Sequence, residues 1–140
     1  YGMSLERERR TRDYLYGRLL AVADKTEQIA LSVADESRET NAAKLMHRFA
    51  ERPYSTWKHI ELSLIPYKAR LSGSRGPFLE KMNGLLDEIH DMFDADEYTN
   101  DAKLSGEFLL GYHCQRRDLK KKIKDEASLE DNTDKEERKG

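Results

Sequence analysis

The sequence predicts an all-α fold, a single compact helical bundle of five or six helices. Apolar residues recur at intervals of three and four along almost the whole chain, the spacing that places them on one helix face. No stretch alternates polar and apolar residues for long enough to indicate a sheet. The 8 glycines and 3 prolines in 140 residues are few for a sandwich or barrel, which needs many tight turns. The length favours one domain, which we place at residues 3–125.

The first predicted helix is the longest and spans about residues 5–34, roughly 45 Å at 1.5 Å per residue. Its apolar stripe consists of Leu15, Leu19, Val22, Ile29 and Val33. Thr26 occupies the position on this face between Val22 and Ile29. We expect the bundle to be built around this helix.

Two shorter helices are predicted next. Thr40 is a suitable N-cap for a second helix that carries Leu45 and Phe49. Pro53 suits the first turn of a third. Its apolar stripe consists of Trp57, Ile60 and Leu64. Because Pro66 cannot donate to the helical ladder and disfavours α geometry at the preceding residue, we predict a break or kink there.

The C-terminal half is predicted to hold two further helices. The segment 72–76 is the clearest loop, and Pro77 then opens a helix. Its inward residues are Phe78, Met82, Leu85, Ile89 and Met92, and its outward residues are Asp87, Glu88 and Asp91. Residues 95–105 are interpreted as a connection, and the last helix begins near Gly106. Its buried stripe consists of Phe108, Tyr112, Leu119 and Ile123.

Composition excludes several protein classes. Charged residues make up 37% of the chain, and mean hydropathy is −0.90. No apolar run approaches the roughly 20 residues that cross a bilayer, and the segment 3–10 is too charged for a secretory signal. Cys114 is the only cysteine, which excludes an internal disulfide and a cysteine-based zinc site and fits a reducing, cytoplasmic location. Residues 126–140, with six acidic and three basic residues and no periodicity, are predicted to be a disordered tail.

Charge is segregated along the chain, although the net charge is only −2. Residues 38–75 contain eight basic and three acidic residues, a net charge of +5. Residues 84–107 contain eight acidic residues and one basic residue, a net charge of −7. Because local charge determines which partners bind, this segregation is more informative than the total.

Two rows of cations at helical spacing predict a surface that binds a polyphosphate. Lys44 and the arginines four and eight residues later, Arg48 and Arg52, fall on one side of the second helix. Arg117, Lys121 and Lys124 repeat the pattern on the last helix. Such rows displace the counterions condensed on a phosphate backbone. The alternative interpretation is an ordinary solvated helix face.

The candidate nucleic-acid contacts are nine basic residues from the segment 38–75 and from the last helix. They are Lys44, Arg48, Arg52, Lys58, Lys68, Arg70, Arg116, Arg117 and Lys121. Among the aromatic residues, Tyr16 and Tyr54 are the better candidates for exposure and base stacking. Core packing is the expected role of Trp57 and Tyr112.

Catalysis has little support in the sequence, and we predict no catalytic residue, metal ligand or cofactor. His90 and Asp91 form a helical HD pair, which some metal phosphohydrolases use to hold a divalent ion. Such a site needs further ligands, for which His47, His59 and Asp101 are only nominal candidates. A histidine at the flank of a helix explains the pair equally well.

Three stretches of the chain resemble a known family: residues 14–24 (YLYGRLLAVAD), 40–49 (TNAAKLMHRF) and 105–116 (SGEFLLGYHCQR). Together they are similar to the C-terminal region of the large subunit of the type I-C CRISPR Cascade, over about residues 13–119. In that system the same region is also made separately, by internal translation initiation, as the small subunit. Met3 is a suitable start for such a product.

The resemblance implies a non-catalytic helical bundle that lies beside the guide RNA filament and helps to hold the separated DNA, mainly the displaced non-target strand. The partners it implies are other Cascade subunits, including the large subunit and the backbone filament, neighbouring copies of the chain, guide RNA, and both DNA strands. Two alternatives stay open: a purely structural protein–protein assembly module, and an HD-type metal-dependent phosphohydrolase.

Overall fold

Residues 4–121 are described by the structure, a computed structural model, and they form seven helical segments with no strand among them. In chain order the segments are α1 (Arg12–Val33), α2 (Asn41–Lys44), α3 (Met46–Glu51), α4 (Pro53–Ser74), α5 (Gly76–Asp91), α6 (Ala95–Tyr98) and α7 (residues 107–121). The all-α prediction is confirmed. The number of segments exceeds the five or six that were predicted, and two of the seven, α2 and α6, are single turns. The predicted tail at 126–140, with Ile123 and Lys124, lies outside the described residues.

Helix α1 is the centre of the bundle, as expected, and packs against α2, α4 and α5. Residues 14–24 are all buried, so this part of the helix is enclosed on every side rather than along one stripe. Leu15, Leu19 and Val22 are at most 1% exposed, whereas Val33 at the C-terminal end of the helix is 38% exposed. None of the helices in residues 4–121 is long and apolar enough to cross a membrane.

The predicted start of α1 near residue 5 is wrong, because the segment before Arg12 is bound to α7 instead. Arg7 forms an ion pair with Asp118 at 3.1 Å, and Arg9 forms one with Glu107 at 2.9 Å. The Thr11 hydroxyl also donates to Glu107. These contacts join residues about 100 positions apart in the sequence. Helical periodicity reports only on neighbours along the chain and cannot predict such contacts.

Two glycines allow α1 and α7 to cross with their backbones in contact. A Cβ atom on Gly17 would lie 1.9 Å from the Phe108 carbonyl oxygen, and one on Gly111 would lie 2.2 Å from the Tyr14 carbonyl oxygen. Side chains of any size would therefore separate the two helices.

Helix α4 continues through Pro66, so of the predicted break or kink the break does not occur. Pro66 lies on the solvent side of the helix, where Leu62 and Ile65 are 68% and 60% exposed. Water can hydrate the carbonyl oxygen that the proline leaves without a donor. The predicted loop at 72–76 is also shorter than expected, because only Arg75 separates α4 from α5.

Helix α5 has the orientation that the sequence predicts. Met82 and Ile89 are buried, and the inward residues Phe78, Leu85 and Met92 are half-buried. The three predicted outward acids, Asp87, Glu88 and Asp91, are exposed. The connection expected at 95–105 contains the single turn α6.

An aromatic cluster beneath α6 overturns the predicted exposure of Tyr16. Tyr16 is fully buried, its hydroxyl donates to the Tyr98 carbonyl oxygen, and its ring contacts Phe49 and Phe93 edge-on. Tyr54 is half-buried with its ring edge-on to that of Tyr98, 5.4 Å between centroids. The core positions predicted for Trp57 and Tyr112 are confirmed, at 2% and 4% exposure.

Candidate nucleic-acid interface

The first row of cations lies on three successive elements rather than on one continuous helix. Lys44 ends α2, Arg48 lies within α3, and Arg52 precedes α4. The chain turns at Leu45, whose φ of −98° and ψ of 7° depart from helical geometry. The predicted single helix here is therefore wrong, although all three cationic side chains are exposed.

A buried polar network fixes the start of α2. The Thr40 hydroxyl accepts from the Ala43 N–H at 3.1 Å and donates to Asp24 at 2.5 Å. Both carboxylate oxygens of Glu27, at 3.0 and 3.1 Å, accept from the Asn41 N–H. These carboxylates belong to α1, so α2 is attached to the centre of the bundle.

The opposite side of α2 and α3 is apolar and packs inward. Ala42 is 1% exposed, and Phe49 is fully buried with its ring 5.7 Å from that of Tyr16. Ala42 and Phe49 hold one side of this segment in the core. The side chains of Lys44 and Arg48, which lie between them in the sequence, are on the other side and face solvent.

The three cations of this row have no ion-pair partner within residues 4–121. Glu51, three residues after Arg48, pairs instead with Lys103 at 3.7 Å. The positive charge of Arg52 lowers the pKa of Asp101. The two groups do not form an ion pair, because no acidic oxygen within residues 4–121 lies within 4.0 Å of the Arg52 guanidinium. Lys44, Arg48 and Arg52 therefore remain available to an external anion.

Asp101 fixes the beginning of α4, next to Arg52. Its carboxylate accepts from the Ser55 N–H at 3.1 Å and from the Ser55 hydroxyl at 2.5 Å. Burial alone would raise the pKa of Asp101, but these hydrogen bonds and the charge of Arg52 together lower it below its ordinary value.

The second row lies on α7, where Arg116, Arg117 and Lys121 are exposed. The Arg116 guanidinium lies 6.0 Å from the centroid of the Tyr112 ring, which leaves its outer side free for contact. Lys124, the third member of the predicted row, lies outside the described residues.

Residues 1–120 match the protein family described as CRISPR-associated protein (Cas_Csd1). The chain belongs to this family. It is therefore a type I-C Cascade-related Cas protein, in agreement with the resemblance found in the sequence. No curated protein matches the chain in a comparison of sequences.

Three other candidate contacts of this Cas_Csd1 chain are partly engaged inside the protein. Lys58 pairs with Glu61 at 3.2 Å. Arg70 donates to the Ala30 carbonyl oxygen at 3.1 Å and lies 3.5 Å from a carboxylate oxygen of Glu36. Lys68 is half-buried and lines a groove between α4 and α5. The structure thus separates these residues from the exposed cations of the two rows, Lys44, Arg48 and Arg52 and those of α7.

Lys25 is a basic residue near the α7 row, and its position in the sequence does not mark it as a candidate contact. Burial lowers the pKa of this half-buried lysine, and the positive charges of Arg116 and Lys120 lower it further. Lys25 and Lys120 are therefore part of one basic cluster with Arg116. The sequence around Lys25 does not show that this residue lies near the α7 cations, because Lys25 belongs to α1 and approaches α7 only in the folded bundle.

The HD pair of this chain, His90 and Asp91, lies at the end of α5. His90 is exposed, and its ring packs edge-on against Tyr98 with 4.6 Å between centroids. Within residues 4–121, no group of three or more histidine, cysteine or acidic residues could hold a metal ion.

Proposed function

We propose that this chain is the non-catalytic small subunit of a type I-C Cascade effector complex. It binds the sugar–phosphate backbone of nucleic acid, mainly the displaced non-target strand, and so stabilises the R-loop and the assembly. Its partners are the other Cascade subunits, including the large subunit and the backbone filament, guide RNA, the two DNA strands and neighbouring copies of itself. Membership of the Cas_Csd1 family supports the place of the chain in this complex.

The observation that carries this proposal is the exposure of Lys44, Arg48 and Arg52, which form no ion pair with any residue between 4 and 121. Exposed cations that are not neutralised by carboxylates can each replace a counterion on a phosphate backbone. The residues belong to elements that are anchored on α1 through Thr40 and Phe49. Their arrangement is therefore fixed before the strand arrives, which lowers the entropic cost of binding.

A few phosphate contacts are sufficient for this role. Binding through the backbone alone is weak, with dissociation constants of about 10⁻⁴ to 10⁻⁶ M. A subunit that is already docked in the complex meets the strand at high effective concentration, so weak contacts become occupied. Because R-loop formation is a nearly balanced exchange of strands, a small favourable term can shift it.

Among the candidate contacts, we assign the main role to the exposed cations. These are Lys44, Arg48, Arg52, Arg116, Arg117 and Lys121, with Lys25 beside the α7 row. Lys58, Lys68 and Arg70 contribute less, since each is half-buried or paired with a carboxylate inside the protein.

The test is binding of target DNA by the assembled complex that carries Arg48→Ala and Arg52→Ala. We expect weaker binding that is nearly independent of sequence, and a log–log salt slope that is shallower by about 1.4, from about 0.7 per lost single-strand phosphate contact. A matched control is Arg75→Ala, which removes an exposed arginine at the other end of α4, roughly 35 Å away at 1.5 Å per residue. Unchanged affinity and slope in the double variant would contradict the proposal.

A further inference from the structure

A groove between α4 and α5 is not used by the proposed nucleic-acid contacts on α2, α3 and α7. It consists of two adjoining hollows of about 470 and 420 Å³. The hollows share four lining residues: Trp57, Glu61, Lys68 and Leu86. Such a continuous depression along two packed helices has the shape that accepts a third helix.

One edge of the groove is an aliphatic ridge. Leu62 and Ile65 line the smaller hollow and are 68% and 60% exposed. They are the two most exposed large apolar side chains in residues 4–121, and they lie one turn apart on α4. Adjacent exposed aliphatic residues beside a groove indicate a surface that another protein covers.

The other hollow contains one hydrogen-bond acceptor that has no donor within residues 4–121. The Oδ1 atom of Asn83 is buried and accepts no hydrogen bond within the described part of the chain. Asp87 lines the same hollow and is exposed, and Glu61 lies between the two hollows. A buried acceptor without a partner is unfavourable, so this position favours a ligand that brings a donor. Glu61 is already paired with Lys58 at 3.2 Å, so the exposed carboxylate of Asp87 is the one that favours a cationic donor.

We propose that this groove docks an amphipathic helix of another protein, which packs aliphatic side chains on Leu62 and Ile65 and directs an arginine or lysine to Asn83 and Asp87. The inference rests on the proposed function, because it assumes that the chain works inside an assembled complex. Lys58 and Lys68, at the edge of the groove, then contact carboxylates of the partner rather than nucleic acid. The molecule thus has separate surfaces for protein and for phosphate.

The experiment measures incorporation of this chain into a reconstituted type I-C complex that is purified through a tag on a backbone subunit. One variant carries Leu62→Gln and Ile65→Gln, which keeps good helix formers on α4. A second carries Asp87→Lys. The control is Leu109→Gln, which changes an aliphatic residue that is 40% exposed on α7, outside the groove. Circular dichroism and thermal melting of each variant confirm that it folds.

We expect both groove variants to enter the complex about tenfold less efficiently than wild type, the loss typical of residues at the centre of an interface. The control should enter normally. Normal entry of both groove variants would overturn the inference. It would also be overturned if sedimentation showed self-association of the purified chain that the Leu62/Ile65 variant abolishes, since the occupant would then be a second copy. Loss of strand crosslinking without loss of entry would likewise overturn it, in favour of nucleic acid.

The two proposals fail separately. If the wild-type chain does not enter the complex, the proposed function is contradicted. If the chain enters and binds DNA through Arg48 and Arg52, but the groove variants behave as wild type, only the docking inference is contradicted.

Discussion

Replacing Gly17 by alanine tests the close crossing of α1 and α7, the contact on which the bundle and its α7 cations depend. The new Cβ atom would lie 1.9 Å from the Phe108 carbonyl oxygen and 2.7 Å from the Tyr112 nitrogen. A carbon–oxygen contact ordinarily measures about 3.3 Å or more. The helices must therefore separate by over about 1 Å, and both contacting atoms belong to the backbone, which cannot rotate away.

Overpacking of this kind costs about 1–3 kcal/mol and occasionally more. Because two backbone segments must move together, we expect a loss of about 3 kcal/mol in the free energy of unfolding. At about 4 °C per kcal/mol for a chain of this size, the Tm falls by about 12 °C. Urea unfolding followed by circular dichroism at 222 nm measures the change.

The matched control is Gly84→Ala on α5, where an added Cβ atom meets nothing within 4 Å. Alanine is a better helix former than glycine, so this variant should gain about 0.5–1 kcal/mol. A Gly17→Ala protein as stable as wild type would refute the account of the helix crossing. A Gly84→Ala protein destabilised as strongly as the Gly17 variant would show that the loss does not come from the crossing.

Three further variants, two single and one double, each test one local interaction. Asp101→Ala removes the carboxylate that accepts from Ser55, and should cost about 1 kcal/mol near pH 7 by urea unfolding. Because the pKa of Asp101 is lowered in the folded state, this difference should shrink as the pH falls below about 3.9, and an equal difference at pH 2 would contradict it. Lys25→Met should stabilise the chain near neutral pH yet weaken DNA binding by the complex. Since the pKa of Lys25 is lowered by folding, the stability gain should vanish as the pH rises past about 10.4, and a gain that persists there would count against the burial cost. Arg18, a fully buried cation whose Nε donates to Gln115, has an Nη2 atom without a partner in the described residues. The double substitution of Arg18 and Gln115 by methionine should be neutral or stabilising by about 1–4 kcal/mol, and a loss above about 1 kcal/mol in thermal melting would contradict this.

The sequence predicts the fold well wherever helical periodicity determines burial. The apolar and acidic sides of α5 are correct because Met82 and Ile89 repeat at the helical period and the acids occupy the opposite side. The all-α class follows from the same signal, repeated along the chain.

The errors occur where long-range contacts override local preference. Residues 5–11 have helical composition but form ion pairs with α7, as in Arg7–Asp118. Tyr16 carries a polar hydroxyl, yet the carbonyl oxygen of Tyr98 accepts its hydrogen bond in the core. At Pro66 the helix continues without a break, and the proline lies on the exposed side of α4, where water can replace the missing hydrogen-bond donor. None of these partners can be identified before the helices are packed.

The candidate interface was predictable in part. The spacing of Lys44, Arg48 and Arg52 gives their exposure, because Phe49 on the same segment must face the core. Sequence alone does not show that Glu51 pairs with Lys103 instead of Arg48, or that Lys25 approaches α7. Both depend on the packing of separate helices.

Crosslinking from a photoreactive non-target strand in the assembled complex tests the central claim most directly. We expect the label on peptides from residues 41–52 and 116–121 of this chain, and we expect Arg48→Ala with Arg52→Ala to remove the first set. Label found only on other subunits, with wild-type amounts of this chain in the complex, would contradict it.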